Sequence, residues 1–170
     1  QEIDKALALL EGVHRKSPAD AVALRALAEI QSLAGQPEAA RKNFAALVAA
    51  RPSDASALSG YALLLHRLKD PSALSLAERA SQIEPANVEH ATAYGWMLAQ
   101  SGNTEGAVRV LREARLRDPA NGQVRWHLAS ALAKAGRKTE AKDELRAALL
   151  SSNPPAAGPE LNQLKAEVGL

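Results

Sequence analysis

Apolar residues return every three or four positions along most of this chain, the spacing that gathers them on one face of an α-helix. In the first stretch Ile3, Ala6, Leu7, Leu10 and Val13 share such a face. Glycine, proline, asparagine and aspartate interrupt the pattern at short intervals, and each time it resumes. It predicts helices at about 2–16, 20–34, 37–50, 54–68, 71–83, 87–101, 104–117, 121–135 and 138–151. Residues 152–159 read as a breaker-rich link. Beyond it Leu161, Leu164 and Val168 predict one more short helix, Glu160 to Val168, laid over the open apolar face of the last hairpin.

The interruptions are themselves periodic. Pro18, Pro52, Pro85 and Pro119 stand 34, 33 and 34 residues apart, and Pro154 follows after 35. A fixed period of that length marks a stacked-repeat architecture, each repeat a pair of helices split by a short turn. Gly35, Gly102 and Gly136 fall at one position of the period, just past a first helix, where positive φ is often required. Pro37 opens a second helix, where a missing N–H costs nothing. The repeat that lacks the glycine has Lys69-Asp70-Pro71 instead, with Asp70 the expected N-cap. Ser53, Asn87 and Asn121 follow the prolines as helix-start signals.

In this register small residues recur in columns. One column is Ala28, Ala62, Gly95 and Ala129, another Ala40, Ala73, Ala107 and Ala141. A third is Leu47, Ala80, Ala114 and Ala148, and the larger residues Phe44, Leu111 and Leu145 share a fourth with Ala77. Small side chains allow close helix approach, and the large ones fill the space between. The composition agrees: about a fifth of the chain is alanine, the strongest helix former, and aromatic residues are 3%. The fold class expected is therefore all-α, an α-solenoid of stacked antiparallel helix hairpins with a short C-terminal capping helix.

Charge and chemistry remove several function classes. Twenty-one basic and 19 acidic residues are interspersed, net +2, with no basic stripe, so no nucleic-acid partner is expected. No apolar run approaches 18 residues, so no direct membrane insertion is expected. With no cysteine, thiol catalysis, disulfides and Cys-ligated metals are excluded; this suits either cytoplasm or periplasm and leans to a periplasmic or envelope location. His14, His66, His90 and His127 lack metal-ligand spacing, and neither a phosphate loop nor a nucleophile elbow is present. The expectation is no enzyme, no cofactor and no metal. The chain opens on Gln1, already in helical pattern and without a leader-like segment, which reads as a piece of a longer or processed chain.

Leu27-Ala28, Tyr94-Gly95, Ala107, Leu111, Ala114 and Pro119 stand where tetratricopeptide (TPR) repeats keep their marker residues, and the chain resembles that family over residues 1–153. The resemblance implies a half repeat at 1–18, full repeats at 21–52, 55–85, 88–119 and 122–153, and a linker with capping helix at 154–170. Residues 94–98, 125–129 and 141–145 are also similar to the C-terminal repeats of TPR proteins from bacterial exopolysaccharide export systems. TPR first helices line a concave groove. By that resemblance the partner-facing residues are Arg25, Glu29, Ser59, Leu63, His66, Arg67, Thr92, Trp96, Gln100, Trp126, His127, Ser130 and Lys134. The carboxylate clamp of chaperone-binding members is not matched, since Glu29 and Glu89 stand at clamp positions and would repel a carboxylate.

Three readings follow. The first is a non-catalytic protein-interaction scaffold that holds a protein or peptide partner, with Trp96, Trp126, Arg67 and Gln100 as anchors. The second is a homo-oligomer formed through the apolar face of residues 1–16. The third is a carbohydrate-contacting module within a polysaccharide exporter, its tryptophans stacked on sugar rings. For both tryptophans the competing structural role is packing between neighbouring repeats.

Overall fold

The computed structural model describes residues 2–170, and these form ten helices and no strand. They are α1 (Glu2–Lys16), α2 (Ala21–Leu33), α3 (Pro37–Ala50), α4 (Ala55–Arg67), α5 (Ala73–Ile83), α6 (Val88–Gln100), α7 (Thr104–Arg117), α8 (Gly122–Lys134), α9 (Lys138–Leu149) and α10 (Pro159–Val168). The fold is all-α, built of stacked helix hairpins of the α-solenoid class. The chain divides into two compact units, one ending at Glu84 and the other beginning at Pro85.

In the first unit α2 pairs with α3 and α4 with α5, while α1 packs on α2 and α3 on α4. In the second unit α6 pairs with α7 and α8 with α9; α7 packs on α8, and α6 lies beside α8. The alanine columns explain the pairing. Ala28, Ala62, Ala129, Ala40, Ala107, Ala141, Ala80, Ala114 and Ala148 are all fully buried. Where backbones come closest even alanine is too large: a Cβ on Gly95 would stand 2.6 Å from Leu111 Cγ. Phe44 fills the wider gap in the first unit, buried and stacked on Tyr61 at 5.8 Å between ring centroids.

Helix starts are set by side-chain caps. Asp20 accepts from the backbone N–H of Val22 and Ala23, Asn87 from those of Glu89 and His90, and Asn121 from those of Gln123 and Val124. For α4 the cap is Asp54, which accepts from Ala57 N–H at 2.9 Å, and not Ser53. Gly35, Gly102 and Gly136 adopt φ of 72°, 89° and 76° after their helices.

The glycine-free turn differs from expectation. Lys69 itself takes φ 58°, a conformation that costs a β-carbon-bearing residue about 1 kcal/mol or more. The neighbouring Asp70 compensates. Its carboxylate accepts from the Ser72 N–H and hydroxyl and pairs with Arg41 at 3.0 Å, contacts that hold its pKa below the usual carboxylate value. Asp70 therefore closes the turn, while Ser72 occupies the N-cap of α5 and the helix begins at Ala73.

Two features of the ends matter for function. No residue of α1 is fully buried: Leu7 and Leu10 are half-covered, whereas Ile3, Leu9 and Val13 are exposed, Leu9 at 69%. At the other end α10 packs on α9 and α8 and buries Leu161, Leu164 and Val168. The link before it is tied down where Asn153 Oδ1 accepts from the Gly122 N–H at 2.8 Å. A Cβ at Gly122 would collide with Ser151 Oγ and the Asn153 carbonyl, which explains glycine at the first position of α8.

Candidate functional site

The second unit contains an open cleft of about 270 Å³ between the facing sides of α6, α8 and α10. From α6 come Trp96 and Gln100, and from α8 come Trp126, His127, Ser130 and Lys134. These positions follow from helical spacing. Trp126, Ser130 and Lys134 are successive i,i+4 neighbours, as are Trp96 and Gln100, so each set forms a ridge on one helix face.

Aromatic rings dominate the floor. The His127 ring stacks on Trp126 at 4.7 Å and 29°, and meets Trp96 at 6.0 Å and 47°. All three side chains are half-buried. Loss of solvent pushes the His127 pKa from 6.5 down to about 4, so the ring is neutral at pH 7. Lys134 sits at the edge, where its Nζ donates to Gln100 Oε1 at 3.0 Å and to the Ala99 carbonyl at 3.2 Å.

The wall supplied by α10 holds Glu160, Gln163, Leu164 and Glu167. None of these is in the set expected from sequence. Their spacing of three, four and seven residues places them on one face of α10, a signal present in the chain. What that face meets is decided only when Leu161, Leu164 and Val168 dock the helix onto α8 and α9. Trp126 and Glu160 also border a neighbouring hollow of about 320 Å³ against Ala156, Gly158, Pro159 and Leu161.

In the first unit a smaller cleft of about 200 Å³ lies over Phe44 and Gly60. Three of the expected residues line it, namely Glu29, Leu63 and Arg67, together with Ser32, Leu33 and Leu64. Arg67 Nη1 donates to Ser32 Oγ at 3.1 Å. Arg67 and Lys134 hold the same place in the 34-residue register, and each reaches from its own first helix to the preceding one. Both long cations thus tie adjacent first helices together as well as bordering a cleft.

Four expected residues line neither cleft. Ser59 is buried in the packing of α4. Arg25 pairs with Glu29 at 3.3 Å, one helical turn on. The Thr92 hydroxyl donates to its own helix at the Val88 carbonyl, 2.6 Å away. His66 is half-buried outside the cleft lining. Among the described residues no group of three or more His, Asp or Glu is placed to hold a metal. Nor is any described helix long and apolar enough to cross a membrane.

A family model described as tetratricopeptide repeat matches residues 1–64 and 98–168. No curated protein matches the chain by sequence. Among solved structures, a thermophilic TPR protein of Thermus thermophilus superposes with a TM-score of 0.78 at 24% identity, covering 98% of this chain and 89% of that one. YrrB, described as a TPR protein with an unusual peptide-binding site, gives a TM-score of 0.68 at 19% identity over 87% of this chain and 77% of its own. MamA gives 0.71 at 17% identity, over 97% and 91% respectively. At these identities the likeness is one of fold.

Proposed function

The chain belongs to the tetratricopeptide repeat family, and from that premise we propose that it is a non-catalytic scaffold that holds a segment of a partner protein on its first helices. The observation that carries this reading is the Trp96–His127–Trp126 cluster, gathered from two adjacent helices into an open cleft rather than sealed in the core. Tryptophan in that setting desolvates a large area on binding while keeping an N–H donor, which is why it is enriched at interface hot spots. At about 270 Å³ the cleft is at the small end of ligand pockets, which begin near ~300 Å³. It suits one or two partner side chains better than a whole cofactor.

The peptide-binding site of YrrB, on a similar fold, supports a peptide as the ligand class. The resemblance of residues 94–145 to exopolysaccharide-export proteins makes a bacterial envelope complex the setting in this reading. The test is affinity capture from native lysate with wild type and with Trp96→Ala/Trp126→Ala, both checked for helicity by circular dichroism. Loss of the specifically captured protein from the double variant is expected. An unchanged capture by a folded variant would refute the cleft as the seat.

A further inference from the structure

The scaffold reading leaves the chemistry of the bound segment open, and the charges around the cleft narrow it. Glu160 and Glu167 both line the α10 wall, both are exposed, and neither forms an ion pair with any described residue. Seven residues apart, they space two negative charges along about 10 Å of rim. The nearest cation of the cleft, Lys134, is already directed to the Ala99 carbonyl and Gln100. His127 contributes no positive charge at neutral pH.

The place of Glu167 within its own helix is informative. Glu160 stands in the first turn of α10, where a carboxylate is favoured by the helix dipole. Glu167 is next to last in the same helix, where the dipole opposes a negative charge. Helix stability therefore does not account for it, and no internal cation compensates it. Across the cleft from α10 stand two indoles, whose faces carry the negative end of the ring quadrupole and attract cations.

We infer that the cleft selects a partner segment by a basic side chain, arginine or lysine, laid against the indoles with its charge met by Glu160 and Glu167. Arginine fits best, because its planar guanidinium can stack on tryptophan and still donate several hydrogen bonds to carboxylates. A segment ending in a free carboxylate would be repelled by the same rim. The inference rests on the cleft being the partner seat.

The experiment uses the full chain and a display library of random twelve-residue peptides. Both tryptophans of the protein lie in this cleft, so intrinsic fluorescence reports directly on its occupancy. Selected peptides should be rich in arginine and lysine, and should perturb the fluorescence more weakly as salt rises. Glu160→Gln/Glu167→Gln should weaken the best binder by about ten-fold, and replacing its basic residue by glutamine should do the same. Peptides that perturb the tryptophans yet show no basic excess, and bind the glutamine double variant equally well, would overturn this inference and leave the scaffold reading intact. If no selected peptide perturbs the tryptophans, both fall together.

Discussion

His127 should make the second unit sensitive to acid. Its ring is half-buried beside Trp96 and Trp126, and this partial loss of solvent lowers its pKa from 6.5 to about 4, leaving it neutral at pH 7. In the unfolded chain the ring takes up a proton near pH 6.5; in the folded chain it does so only near pH 4. The unfolded state therefore binds more protons between these values, so stability falls as pH drops through that window and levels off below it. The fall from 6.5 to about 4, at about 1.4 kcal/mol for each tenfold change in proton affinity, bounds the loss at about 3.5 kcal/mol. Between pH 7 and pH 5 the expected loss is about 2 kcal/mol. Urea unfolding followed by tryptophan fluorescence reads this unit selectively, since both tryptophans lie within it. His127→Gln, which cannot titrate, supplies the baseline and cancels contributions from other histidines and carboxylates. Wild type should lose about 2 kcal/mol more than the variant over this range. Parallel pH profiles for the two proteins, within about 0.5 kcal/mol, would refute the account of a neutral, partly desolvated imidazole.

Gly95→Ala forces a methyl group onto the fully buried Leu111 and should destabilise the second unit by about 1–3 kcal/mol, less the gain in helix propensity. Gly12→Ala is the control: nothing lies within 4 Å of its added Cβ, and this mid-helix change should stabilise α1 by about 1 kcal/mol. Equal midpoints in urea for the two variants would contradict the packing described. Of the apolar face expected to pair with a second copy, Ala6, Leu7 and Leu10 are half-buried in a helix that packs on α2, and only Ile3 and Val13 stay exposed, with Leu9 beside them; whether these carry self-association is testable. Concentration-dependent association in sedimentation velocity, abolished by Leu9→Lys, is expected; a monomer at every concentration removes that reading.

Most of the helices and their hairpins were legible because the signals are local. Caps such as Asn87 and Asn121, the post-helix glycines and the alanine columns each act within a few residues or recur at a fixed period. The errors have the same local origin. Ser53 and Asp54 compete for one cap, and the carboxylate prevails; Asp70 satisfies a turn instead of a helix, so α5 starts at Ala73. The candidate cleft was only partly legible. Trp96, Gln100, Trp126, His127, Ser130 and Lys134 share it because periodic stacking places equal register positions side by side. Thr92, Ser59 and Arg25 were drawn from the same register yet are taken up by packing or by bonds within their own helices, and His66 lies outside both clefts.

The sequence by itself therefore determined the all-α repeat architecture, the turn chemistry, and the pair of first helices that carry the tryptophans, because periodicity is written into the chain one turn at a time. The docking face of α10 was also legible, in the spacing of Leu161, Leu164 and Val168; only the tertiary structure decided that Glu160 and Glu167 become the rim opposite the tryptophans and that His127 loses its charge. The first depends on how Leu161, Leu164 and Val168 dock across a proline-rich link, the second on the burial of His127 beside Trp96 and Trp126. Both are properties of surfaces brought together from distant parts of the chain, and no local pattern encodes them.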